Sequence, residues 1–338
     1  MEQSTYHPAM GFDTNRYDGR MPYRRCGDSG LWFPEISLGC WHHFGANDDS
    51  GVARQTLRRA FDRGIIHWDL ANNYGPPPGA AESVVGSILT SDFSSHRDEL
   101  LISTKAGHDM WAGPCGKGGS RKHLLASLEQ SLRRLNLDYV DVFYSHCPDP
   151  DTRLEETMGA LATAVKSGKA LYVGLSKYPL GRLRDAVALL ADLGVRCVVY
   201  QPPYSMLRRD VEATGILSWL HGQDIGSVVF SPLAQGMLTG KYLAGIPADS
   251  RAAIPGGFLK PGQVASQMDT IRKLNSLAES YGMPLHHLAL KWALRLPSVT
   301  SAIIGARNPE QLDDTLAALN HPVLPNELLQ EIDLLCPA

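Results

Sequence analysis

Short apolar, β-branched runs alternate with amphipathic stretches along most of this chain, and that alternation sets its predicted elements. Beyond Pro34 the sequence repeats strand, loop and helix. Residues 36–40 read as the first such strand and 50–61 as its helix, with Val52, Leu57 and Phe61 near one face. Residues 65–69 form the second strand, entered from Arg63-Gly64, and 81–89 a short helix. The third strand, 100–105, leads to helix 123–135, whose Leu124, Leu125, Leu128 and Leu132 point inward. Strand 139–146 is followed by helix 154–166, strand 171–177 by helix 183–193, and strand 197–201 by a helix around 215–221. Strand 227–231 opens into a long irregular segment, 232–262, before helices 268–281 and 285–296. Strand 301–305 with helix 309–319 is the eighth repeat, and helix 325–335 closes the chain. Ahead of the repeats, residues 23–33 read as a β-hairpin turned at Gly27-Asp-Ser-Gly30.

Eight strands alternating with helices, with no pause long enough for a linker, predict an α/β protein of one domain, a (β/α)8 TIM barrel spanning 21–338. It carries an N-terminal hairpin and extra C-terminal helices, and residues 1–20, polar with scattered Gly, Asn and Asp, read as a flexible tail. The competing architecture is a doubly wound open sheet. Against it, no Gly-x-Gly-x-x-Gly joins an early strand to its helix, and eight is the count that closure needs.

Charge changes the picture by subtraction. With 32 basic and 35 acidic residues, there is no electrostatic case for nucleic acid or an acidic membrane as partner. Neither an apolar leader core nor a run of about 18 apolar residues occurs, so neither export nor membrane spanning is expected. Six cysteines scattered without Cys-x-x-Cys or zinc spacing suggest reduced thiols in a cytoplasmic protein, and Cys115 reads as incidental.

Closing a barrel brings all strand C-ends to one rim, where polar residues distant in sequence become neighbours. Those ends are Gly39-Cys40-Trp41, Asp69 with Tyr74, Lys105, His146, Ser176, Gln201, Ser231 and Gly305. A carboxylate ending a strand needs a cationic partner, and Lys105 at the end of the next strand needs an anionic one. The pair's positive end beside the Tyr74 hydroxyl favours phenolate, which predicts a Tyr74 pKa brought down toward the working range for general acid catalysis. His146 can hydrogen-bond a carbonyl oxygen and orient it. Each of these residues alone has a commonplace structural reading; four at consecutive strand ends do not. Trp41 and Trp111, with Tyr74 and His146, are the expected walls of a substrate pocket. The loop 111–122, rich in glycine and basic residues and containing Ser120, can cradle a substrate phosphate or simply cap the next helix.

Asp69-x4-Tyr74, Lys105 in Ser-Thr-Lys and His146 in Tyr-Ser-His resemble the catalytic tetrad of the aldo-keto reductases. The resemblance runs from Tyr23-Arg-Arg-x-Gly-x-Ser-Gly-Leu to the last helix. Trp-Asp-Leu-Ala-Asn-Asn-Tyr-Gly, Gly-Ser-Arg-Lys (119–122), Ser-Gly-Lys-Ala-Leu-Tyr-Val-Gly (167–174), Pro-Leu-Ala-Gln-Gly-Met-Leu-Thr-Gly-Lys-Tyr (232–242) and Gly-Ile-Pro-x-x-Ser-Arg (245–251) are similar to one branch of it. That branch holds the bacterial L-glyceraldehyde 3-phosphate reductases, with the potassium-channel β-subunits as relatives.

The resemblance implies an NADPH-dependent carbonyl reductase that binds NADPH/NADP+ extended across the rim, takes a small carbonyl substrate and forms a homo-oligomer, a tetramer or octamer. It implies cofactor contacts at Cys40, Trp41 and Asp69. Ser176 and Gln201 would hold the nicotinamide carboxamide, and Phe230 would stack on the ring. Ser231, Leu233 and Gln235 would line the pyrophosphate path beneath a belt containing Lys241 and Arg251. Gly305, Arg307 and Gln311 would hold the adenosine 2′-phosphate end, where a helix N-terminus with an arginine is also an anion site on physical grounds. The chain departs from the family pattern at Lys177, where many members have Asn, at Phe230 in place of Tyr or Trp, and in a segment 255–262 that looks shortened. Two other readings stay open: an NADPH-sensing module with slow turnover, like the channel β-subunits, and a metal-dependent barrel hydrolase or isomerase using His67, Asp69 and His146.

Overall fold

The computed structural model describes residues 11–248, 250–254 and 257–338. Eight parallel strands close into a barrel, each beside the next in sequence and the last beside the first. After the hairpin β1 (Tyr23–Arg25) and β2 (Trp32–Pro34), the chain runs β3 (Ile36–Gly39), α1 (Ser50–Asp62), β4 (His67–Asp69), α2 (Ala80–Asp92), β5 (Leu101–Ala106), α3 (Arg121–Leu135) and β6 (Val140–Ser145). It continues through α4 (Leu154–Lys166), β7 (Ala170–Ser176), α5 (Leu180–Asp192), β8 (Cys197–Gln201), α6 (Asp210–Ala213), α7 (Ile216–Gly222) and β9 (Gly226–Phe230). It ends with α8 (Pro261–Ser280), α9 (Leu285–Ala293), β10 (Ser301–Ile304), α10 (Pro309–Leu316) and α11 (Asn326–Leu335).

The strands alternate as a two-sided sheet must. In β4, Trp68 points outward and meets Phe93 edge-on at 4.9 Å, while His67 and Asp69 face the barrel interior. In β5, Thr104 reaches out to the fully buried carboxylate of Glu82, which Arg134 also holds, tying α2 and α3 to the barrel. Ser103 and Lys105 point in. Tyr144 of β6 faces Gly174 of β7 in register, and a Cβ there would lie 2.3 Å from the Tyr144 ring, so only glycine fits.

The β1–β2 hairpin closes the barrel's N-terminal end. Phe33 is fully buried against His67, with ring centroids 4.6 Å apart. A Cβ on Gly226, at the start of β9, would sit 2.3 Å from the Cys26 sulfur. With that end plugged, the opposite rim is left for chemistry.

Several boundaries differ from the sequence reading. The second barrel strand is only His67–Asp69, because Ile65 and Ile66 still belong to the connection from α1. Helix α8 begins at Pro261 rather than at residue 268, since Pro261 suits a first helical position and the Lys260 amide donates to Gln263 Oε1 at 2.8 Å. The segment expected to be irregular also holds 3₁₀ turns at Ala234–Thr239 and Arg251–Ala253. Residues 255 and 256, part of the stretch that looks shortened, lie outside the described residues. So do residues 1–10 of the expected tail. In residues 11–20, Phe12 packs on Phe61 and Phe93, and Arg16 pairs with Glu99 at 2.6 Å. No helix among the described residues is long and apolar enough to cross a membrane, and all six cysteines are free.

Candidate active site

Asp69 and Ser103 are register partners in β4 and β5, so Lys105, two residues on, shares the inward face one step nearer the rim. Its ammonium is fully buried. Three acceptors surround it: Asp69 Oδ2 at 2.5 Å, the Leu70 carbonyl at 2.7 Å and the Tyr74 hydroxyl oxygen at 3.3 Å. An ammonium has three hydrogens, and each has a partner. Because the Tyr74 oxygen accepts from Lys105, its own O–H is left to donate elsewhere. That is the arrangement a proton donor requires.

Asp69 is held from behind. Its Oδ1 accepts from Ser103 Oγ at 2.8 Å and from Gln201 Nε2 at 2.9 Å. Ser103 in turn meets His67 Nε2 at 3.0 Å, His67 Nδ1 meets Ser37 Oγ at 2.8 Å, and Ser37 meets Ser301 at 2.6 Å. Since Ser103 donates to the carboxylate, it accepts from His67 Nε2–H, which leaves Nδ1 to accept from Ser37. Every bond in the chain therefore points its hydrogen toward Asp69. Burial pushes His67 down to about 4, so it is neutral, as this order demands. Both its nitrogens are committed to serines, which removes His67 as a metal ligand beside Asp69 and His146. The grouping with metal-ligand spacing among the described residues is elsewhere, at His286, His287 and Asp314.

The electrostatics correct one expectation. Burial pushes the Tyr74 phenol above its ordinary value, and Lys105 offsets this only in part. Tyr74 is thus a protonated acid at rest, not a phenolate in waiting. For Lys105, burial opposes the charge, but Asp69 and Tyr74 outweigh it and hold the ammonium above its usual range. His146 is pushed well below its ordinary value by burial, then by Lys177, Lys105 and His108, so its imidazole is neutral. Its ring lies 6.0 Å from that of Tyr74, and its buried Nδ1 has no protein partner among the described residues.

Trp41 stacks on Tyr74 at 5.7 Å and is met edge-on by Phe258 at 5.2 Å. Trp111 rests on His123 at 4.8 Å. In the 111–122 loop, Ser120 caps α3 and the Gly119 amide donates to Asp149 Oδ2 at 2.7 Å. A carboxylate thus already occupies a place where a substrate phosphate would have to bind.

Around the rim, Ser176 and Gln201 are register partners at the ends of β7 and β8, with Ser176 Oγ donating to the Gln201 carbonyl at 2.8 Å. Phe230, half-buried, ends β9. Cys40 is buried, its amide on the Asp69 carbonyl. Ser231 and Gln235 both take positive φ, 58°, and the right-handed to left-handed turn at Leu233–Ala234 is the backbone form of an anion-binding concavity. A Cβ on Gly236 would lie 2.8 Å from Lys241 Nζ, so that lysine crosses this turn. Arg251 reaches over to Gly305, its guanidinium 3.8 Å from where a Cβ would stand. The Arg307 amide donates to Gln311 Oε1 at 2.8 Å, and Asn308 caps α10.

Half-buried Arg251 has Arg307 as a charged neighbour and no ion-paired carboxylate among the described residues. His42 and His43 feel its charge too, and burial lowers both. Arg251 with a second arginine beside it fits a polyanionic ligand such as a phosphorylated dinucleotide.

Sequence reasoning missed Ser37, Ser103 and Ser301, the supports of Asp69, although each is a polar residue on the inward period of an apolar strand. It also missed His108, whose ring stands 4.3 Å from that of His146. No periodic signal marks a loop residue of that kind.

The Aldo/keto reductase family matches residues 35–336. The chain is 50% identical over 319 residues to the "L-glyceraldehyde 3-phosphate reductase" of Escherichia coli (strain K12), covering 93% of this chain and 92% of that one. It is 36% identical over 322 residues to the "Probable voltage-gated potassium channel subunit beta" of Oryza sativa subsp. japonica, covering 93% and 96%. A "Putative voltage-gated potassium channel subunit beta" of Schizosaccharomyces pombe is 35% identical over 325 residues, with 93% and 92% covered.

Proposed function

This chain belongs to the aldo/keto reductase family, and on that premise we propose that it is an NADPH-dependent reductase of short aldehydes, three-carbon sugar phosphates and methylglyoxal-like carbonyls included. The observation that carries the reading is the Lys105 ammonium, whose three bonds leave the Tyr74 O–H as the free donor. When bound, NADPH supplies the hydride. Tyr74 gives its proton to the carbonyl oxygen, and Lys105 balances the negative charge that the phenol oxygen acquires. Asp69, fixed by Ser103 and Gln201, keeps Lys105 charged and in place. The neutral His146 donates an N–H to the same carbonyl oxygen and orients it. Trp41 and Phe258 cover the approach to Tyr74 and restrict water.

Ser176, Gln201 and Phe230 would hold the nicotinamide end, the 231–235 turn with Lys241 the pyrophosphate, and Arg251, Arg307 and Gln311 the 2′-phosphate. The Arg251 and Arg307 neighbourhood supports the reading of NADPH in preference to NADH. Arg251→Ala is expected to weaken NADPH about tenfold or more and NADH much less, read by fluorescence titration. Equal losses for both cofactors would contradict the assignment. Tight NADPH binding without turnover of any aldehyde would instead favour a sensing module similar to the channel β-subunits.

A further inference from the structure

One cation beside the tetrad has no work in that mechanism. Lys177 follows β7 at a positive φ of 63° and is exposed. Its Nζ lies 3.5 Å from His108 Nε2 and 5.7 Å from the Phe230 ring centroid. The His108 ring lies 4.3 Å from that of His146, whose ring lies 6.0 Å from that of Tyr74, so a line of rings joins Lys177 to the proton donor. Among the described residues no carboxylate pairs with Lys177. The acid that His108 feels, Asp109, is exposed.

Hydrogen-bond direction sharpens the point. Since the Lys177 ammonium has only hydrogens to give, the neutral His108 accepts one at Nε2 and turns its Nδ1–H toward the Cys147 sulfur, 4.0 Å away. The other Lys177 hydrogens have no acceptor among the described residues, and an anionic oxygen would supply one.

From this we propose that Lys177, held in place by His108, forms an anion subsite that takes the phosphate of a short phosphorylated aldehyde while Tyr74 and His146 hold its carbonyl oxygen. The subsite presupposes the reductase reading and deepens it, and it relocates the phosphate from the 111–122 loop, where Asp149 stands. Burial, with like charge from Lys105 and Arg208, pushes the Lys177 ammonium below its ordinary range, a strain that a bound phosphate relieves.

The test compares glyceraldehyde 3-phosphate with glyceraldehyde as substrates of wild type, Lys177→Met and His108→Asn. A charge-assisted hydrogen bond to phosphate predicts that the ratio of the two kcat/KM values falls about ten- to hundredfold in Lys177→Met and by less in His108→Asn. A ratio held within about twofold of wild type in both variants would overturn the subsite. Binding of glycerol 3-phosphate, the product alcohol, followed by calorimetry with no NADP+ present, reads the same site without turnover and should weaken by a similar factor in Lys177→Met. Unchanged glycerol 3-phosphate affinity would also overturn it. Failure of wild type to turn over either aldehyde would strike the reductase reading alone.

Discussion

Replacing Asp69 by Asn strips the charge from beside the Lys105 ammonium while keeping an oxygen for Ser103 and Gln201. The lysine is fully buried and loses its acceptor at 2.5 Å, retaining only the Leu70 carbonyl and the Tyr74 oxygen. Leaving a buried ammonium without its partner costs about 3–5 kcal/mol. Deprotonation sets a ceiling: shedding the proton at pH 7 from an ordinary value near 10.4 costs about 4.6 kcal/mol. The expected loss is therefore about 3–4.5 kcal/mol, measured by urea unfolding followed by circular dichroism. The pH dependence has a definite sign. In the wild type the folded-state value of Lys105 is raised, so its contribution is complete below the unfolded value and is lost only as pH rises through the folded one. In Asp69→Asn the folded value is depressed, the unfolded chain binds more protons, and stability should climb between about pH 7 and pH 10. Adding Lys105→Met should return about 2 kcal/mol or more, since a buried apolar side chain replaces an unpaired charge. A loss under about 1 kcal/mol, or a flat pH profile in the single variant, would refute the reasoning.

Acid should destabilise the fold through His67, neutral between Ser37 and Ser103. Its folded value of about 4 lies below the ordinary 6.5, so the unfolded chain takes up the proton first and stability falls as pH drops from 6.5. The drop attributable to His67 is about 3 kcal/mol by pH 4, and thermal unfolding of His67→Gln should show a shallower slope than wild type over that window. Gly86→Ala places a Cβ 2.1 Å from the Arg134 carbonyl, which is helix backbone and cannot step aside. It should separate α2 from α3 and cost about 1–3 kcal/mol in urea unfolding, whereas an unchanged midpoint would show that the helices shift freely.

The barrel was legible because its two periods, 2 and 3.6, are written in side chains that must face either lining or solvent. Asp69, Tyr74, Lys105 and His146 were legible for a related reason: charge and polarity at strand ends are conspicuous against apolar runs. What stayed hidden depends on distance rather than period. Burial of the Tyr74 phenol, which outweighs Lys105, is set by Trp41 and the surrounding loops. The reach of Arg251 to Gly305 and of Lys177 to His108 joins segments far apart in sequence. Ser37, Ser103 and Ser301 carried a usable signal, since an inward serine in an apolar strand needs a polar partner and His67 shares their layer.

The most direct test is NADPH oxidation by Tyr74→Phe beside the wild type, on an aldehyde that the wild type turns over. The phenyl ring keeps its place against Trp41 and loses the hydroxyl, and with it both the proton free to donate and one acceptor of the Lys105 ammonium. Turnover should fall about 10²–10⁴-fold with NADPH affinity essentially unchanged. Turnover that survives within a few-fold of wild type would mean that the carbonyl oxygen takes its proton from somewhere other than Tyr74.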